Sequence, residues 1–77
     1  MAISDEIRMI RQKALMTQET FAKALCVAFS TVNRWESGKA RPSMSAMNQL
    51  KEFCVEKGIS FDELQNTWIE ENKESRK

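Results

Sequence analysis

The chain has no histidine, only two glycines, one proline and two cysteines in 77 residues. Without histidine it lacks the commonest general acid and base, and with no glycine-rich phosphate loop nothing points to an enzyme. Cys26 and Cys54 stand 28 positions apart, and a lone pair of thiols makes neither a zinc site nor a disulfide framework. They read as reduced, small apolar residues, and no metal or cofactor is expected. The longest apolar run, residues 24–29, is six residues long, against the roughly 20 that a membrane helix needs. The opening Met-Ala-Ile-Ser-Asp-Glu has no basic stretch followed by an apolar one, so no secretory signal is read and a cytoplasmic location is expected. At this length folding hides only about 60% of the unfolded surface. Nearly every large apolar side chain must then serve one core or a partner surface.

What is present is charge, unevenly placed. The formal net charge is +1. Residues 8–41 carry seven cations (Arg8, Arg11, Lys13, Lys23, Arg34, Lys39, Arg41) against Glu19 and Glu36, a local +5. The segments on either side each carry −2. A basic middle on a nearly neutral chain fits a polyanion-binding face or simply a solvated surface, and charge alone does not choose.

Periodicity and end signals predict five helices and no strand. Ser4 is the expected cap of a first helix over residues 5–13, with Ile7, Ile10 and Ala14 recurring at helical spacing. Thr17 caps a second, with Met16 and Phe21 as a hydrophobic staple and Phe21, Ala22 and Leu25 facing inward. A third presents Ala28, Val32 and Trp35 inward and stops at Ser37-Gly38. Ser43 caps a fourth, lined by Met47, Leu50 and Phe53 or Cys54 and ending at Gly58. Ser60 and Glu63 form a capping box for a fifth that turns Phe61, Leu64 and Trp68 to one side. Residues 1–69 read as one domain, and 70–77 as a polar end.

On the third helix, Ser30, Asn33, Arg34 and Ser37 fall opposite the apolar stripe at 100° per residue. Asn can make two bonds to an adenine edge, Arg two to a guanine edge, and Ser adapts to either. Phe29 lies at the flank, where a ring can meet a thymine methyl. Taken alone, the same residues also suit a solvated helix surface with Phe29 in the core.

The run Thr17-Gln18, Phe21-Ala22, Ser30-Thr31-Val32, Trp35-Glu36, Gly38-Lys39 and Pro42-Ser43 resembles the Cro/cI-type (Xre, lambda-repressor-like) helix-turn-helix family, with the likeness covering residues 4 to about 68. The resemblance implies an all-α, five-helix domain with its helix-turn-helix at helices 2 and 3, the third lying in the DNA major groove. It assigns Gln18 to a phosphate at the second helix's start, Phe29, Ser30 and Arg34 to base reading with Asn33 beside them, and Lys39 and Arg41 to further phosphates. Arg11 and Glu36 match a pair that bridges the first helix to the end of the third. Three features depart from the pattern. Cys26 stands at the turn position usual for glycine, Ala28 is a poor cap, and the fourth helix, from Ser43 to Gly58, is about a turn longer than is usual for the family.

The function so implied is a sequence-specific double-stranded DNA-binding transcriptional regulator, most simply a cytoplasmic repressor binding a palindromic operator as a homodimer. Trp68 and Ile69 are the candidate dimer interface, with core packing the competing reading for Trp68. An antitoxin-like or phage-regulatory protein, binding a partner protein and autoregulating through the same helix-turn-helix, is the alternative. A nuclease is rejected because Asp62, Glu63, Glu70 and Glu71 form no metal-ligand constellation.

Overall fold

The computed structural model describes residues 2–75. Five helices follow in order: α1 (Ile3–Lys13), α2 (Gln18–Leu25), α3 (Phe29–Ser37), α4 (Met44–Lys57) and α5 (Asp62–Ser75). No strand occurs among the described residues. α3 packs against both α1 and α2, α5 closes over α1, and α4 over α2.

The core follows from the spacing of apolar residues. Ile3, Ile7 and Ile10 of α1, Phe21, Ala22 and Leu25 of α2, Val32 and Trp35 of α3, Met47, Leu50, Phe53 and Cys54 of α4, and Leu64 of α5 are all buried. Phe21 and Phe53 meet edge to face with ring centroids 5.2 Å apart, the favoured aromatic geometry. Phe61 and Trp68 are half-buried against this cluster.

Three boundaries differ from the sequence reading. Ser4 lies inside α1, and Ala2 occupies the cap with no side-chain bond. Burial of Ile3 explains the shift, because helical spacing sets it on one stripe with Ile7 and Ile10. Ala28 is exposed rather than inward. It is the extended cap residue of α3 (φ −72°, ψ 150°), and so falls off the helical register. At α5 the Phe61 carbonyl accepts the first helical bond, from the Gln65 amide at 3.0 Å, which leaves Ser60 one residue ahead of the cap. Thr17 and Ser43 do cap as expected, accepting from the Thr20 amide at 3.1 Å and the Ala46 amide at 3.2 Å. The polar stretch from residue 70 continues α5 through Ser75, and residues 76 and 77 lie outside the described residues.

The first four helices end in one way. After α1, the Met16 amide bonds the Arg11 carbonyl and the Leu15 amide bonds that of Gln12. The paired bonds recur after α2 (Val27 to Ala22, Cys26 to Lys23), after α3 (Lys39 to Arg34, Gly38 to Trp35) and after α4 (Ile59 to Cys54, Gly58 to Val55). This is the Schellman termination, which needs a left-handed residue at the turn. Gly38 and Gly58 supply it freely at φ 81° and 70°, whereas Leu15 and Cys26 adopt it at 59° and 60° against the steric preference of an L-residue. Cys26 therefore keeps the backbone shape that glycine would give, so the turn between α2 and α3 is not remodelled. The Leu15 turn carries no glycine or asparagine to signal it in the sequence.

Candidate nucleic-acid interface

The short α2, the Cys26 turn and α3 place two helices against each other so that one side of α3 is sealed and the other open. Val32, Trp35 and Glu36 are buried, while Phe29, Ser30, Asn33, Arg34 and Ser37 are exposed. Phe29 keeps 52% of its surface accessible. It is a surface side chain at the start of the helix, not a core residue.

Behind this face lies an ion-pair cluster centred on Glu36, whose side chain is 2% exposed. Arg11 donates to it twice, Nε to Oε2 at 2.7 Å and Nη2 to Oε1 at 3.0 Å. Its remaining Nη1 donates to the Met16 carbonyl at 3.0 Å, so one guanidinium ties α1, α3 and the turn before α2 together. Arg8 approaches the carboxylate at 3.7 Å and donates to the Glu36 backbone carbonyl at 3.0 Å. Burial by itself would push the Glu36 carboxyl up; the hydrogen bonds from Arg11 and Gln18 and the charges of Arg11 and Arg8 outweigh it and hold the group below its ordinary value. The Glu36 hydrogen bond correspondingly raises the Arg11 guanidinium against the opposing effect of burial. Arg8 is the participant that sequence reasoning missed. Its spacing of three from Arg11 on one helix face was the available signal.

The cluster extends outward to the open face. Gln18 Nε2 donates to Glu36 Oε1 at 3.1 Å, and Gln18 Oε1 accepts from Asn33 Nδ2 at 3.3 Å. Because the carboxylate must receive a donor, the Gln18 amide is held with its oxygen toward Asn33. Asn33 in turn keeps its carbonyl oxygen and one N–H for an incoming partner. The residue expected to touch only a phosphate thus has a second job, orienting its neighbour on α3.

The remaining sequence-assigned residues fall in two places. Lys39 is exposed just after the Gly38 turn. Arg41 and Arg34 border one open cleft with Thr31 and Ser43, and Arg41 also lies 3.9 Å from Glu71. Trp68 and Ile69 are on α5 and do not join the α3 face. The Trp68 ring packs partly on the core and its indole N–H donates to the Pro42 carbonyl at 2.8 Å, so this side chain is engaged within its own chain. Ile69 is 41% exposed and borders a groove with Met44 and Phe61. No group of three or more potential metal ligands occurs among the described residues, and none of their helices is long and apolar enough to cross a membrane.

Comparison with known proteins agrees with this architecture. A family profile described as "Helix-turn-helix" matches residues 7–64. The chain is similar to an HTH-type transcriptional activator, BcrR of Enterococcus faecalis, with 30% identity over 64 residues, 83% of this chain. It spans 30% of that relative's length. No solved structure matches significantly.

Proposed function

Because the chain belongs to the helix-turn-helix family, we propose that it is a transcriptional regulator that binds double-stranded DNA sequence-specifically, reading the major groove with α3. The observation that carries this is the open face of α3, where Asn33 is aimed by Gln18 and held there through Glu36 and Arg11. An amide with one oriented N–H and a carbonyl suits an adenine edge, and Arg34 beside it suits guanine. Phe29 and Ser30 complete the reading set. Gln18, Lys39 and Arg41 contact phosphates, which position the domain without specifying sequence. The name of the relative from Enterococcus faecalis, a transcriptional activator, supports a role in transcription.

A single domain of this size reads few base pairs, so pairing about a two-fold axis on a palindromic site supplies the affinity. We assign the pairing surface to Ile69 together with Met44, which is 66% exposed, and give Trp68 the supporting role its bond to Pro42 indicates. Repression is the simplest outcome of a DNA-binding domain covering a promoter.

The test is selection of bound duplexes from a randomised library, followed by titration of the best site at two salt concentrations. A palindromic consensus with salt-dependent affinity is expected. Binding with no consensus would defeat the reading-face assignment, and recovery of a non-palindromic half-site by a monomer would defeat the pairing. Transcription from a promoter carrying the selected site should fall when the protein is added; a rise would make it an activator.

A further inference from the structure

The loop between α3 and α4 is held from behind by α5. Trp68 donates its indole N–H to the Pro42 carbonyl at 2.8 Å, and the Glu71 carboxylate stands 3.9 Å from the Arg41 guanidinium. Residues three apart share a helix face, so one side of α5 meets two consecutive loop residues. The first contact fixes the loop backbone against α5. The second places a carboxylate beside the arginine that borders the same cleft as Arg34.

We propose that Glu71 is a built-in competitor for DNA phosphate at Arg41, so that α5 sets how tightly the loop grips any duplex. The inference rests on the DNA-binding reading above. At 3.9 Å the carboxylate is a loose ion pair rather than a close hydrogen-bonded one, and it stands beside the guanidinium on which a phosphate oxygen would close to about 2.7–2.9 Å. A phosphate arriving at Arg41 must displace Glu71 or share the cation with it. At the second option, two anions lie well within the Debye length of about 8 Å at physiological ionic strength, and repulsion between them is only partly screened. The Arg41 and Glu71 side chains are 39% and 36% exposed, which leaves the pair weak enough to exchange. Since phosphate contacts are blind to sequence, the competition lowers affinity for all duplexes alike.

The experiment measures binding of the wild-type chain, Glu71→Gln, Arg41→Ala and the double variant to a selected site and to a random duplex, across a salt series. Glu71→Gln is expected to tighten both duplexes by the same factor, about two- to fivefold at low salt. Its plot of log affinity against log salt should be steeper by up to about one. In the Arg41→Ala background the same substitution should change affinity by less than about twofold, because the coupling is with Arg41. Thermal unfolding of Glu71→Gln should match wild type, showing that the gain is not a stability effect. An unchanged or weaker Glu71→Gln would overturn the proposal, as would an equal gain without Arg41, which would mark a general charge effect. If the wild-type chain bound no duplex, the DNA-binding reading would fall and this inference with it; wild-type binding with an inert Glu71→Gln sinks this inference alone.

Discussion

Leu15 and Cys26 show how a single residue can oppose its own backbone. Both are left-handed without being glycine, at a cost of roughly 1–2 kcal/mol each for the L-configuration. Leu15 is 92% exposed, so its side chain returns little by burial. Glycine at either position is expected to stabilise the domain by about 0.5–1 kcal/mol after its greater unfolded-state entropy is subtracted. For a domain of this size that is a rise of several degrees in the unfolding midpoint, on the order of 4–8 °C per kcal/mol. A fall in the midpoint of Leu15→Gly would show that the leucine makes a contact worth more than its strain. On the open face, Arg34→Ala is expected to cost about 1–3 kcal/mol of binding on the selected site and to relax discrimination at one base pair. Lys39→Ala should weaken all duplexes equally and lower the salt slope by about one. Equal losses from both variants on specific and random DNA would remove Arg34 from the reading set.

At the scale of elements, α3 is held by charge on one side and by apolar packing on the other. Glu36 links it to α1 through Arg11 and to α2 through Gln18, and a buried carboxylate so paired leaves its partners stranded when it is removed. Glu36→Gln is expected to destabilise the domain by about 3 kcal/mol. It should also change the acid limb of stability. The Glu36 carboxyl lies below its ordinary value of 4.5 when folded. Its contribution is therefore fully present above that value and is lost as pH falls through the lower, folded one. Urea titrations from neutral pH downward should show a shallower loss below about pH 4.5 in Glu36→Gln than in wild type; parallel curves would mean that another carboxylate governs the limb. The helices themselves were legible from local signals. The Thr17 and Ser43 caps, the Gly38 and Gly58 ends and the inward stripes sit where the sequence places them, except for Ala28, which is the exposed cap of α3. The first turn of α1 was misread because a serine cap is a local preference, and burial of Ile3 outweighs it.

For the whole molecule, one continuous core makes opening cooperative, and the two thiols report on it. Cys26 is exposed, whereas Cys54 is fully buried and its thiol is pushed up to about 11 by burial, only partly offset by the charge of Lys13. Thiolate is the reactive form. An alkylating reagent at neutral pH should modify Cys26 at once and Cys54 only at the rate or extent of global unfolding. Mass spectrometry of the labelled chain over a denaturant series checks this, and early labelling of Cys54 would show that α4 opens separately from the rest.

The amino-acid sequence by itself determined the number of helices, their order, most of their ends and the polar face of α3, because caps, glycine stops and apolar periodicity act over a few residues. It also held the match at residues 7–64 that places the chain in its family. Tertiary structure alone decided what those side chains do to one another. Gln18 and Asn33 are fifteen positions apart, and only the crossing of α2 and α3 brings their amides together. Arg8 gains its place on Glu36, Trp68 its bond to Pro42, and Glu71 its contact with Arg41 across 26 or more positions. Such pairings depend on the angles at which packed helices meet, and no local preference in the chain encodes them.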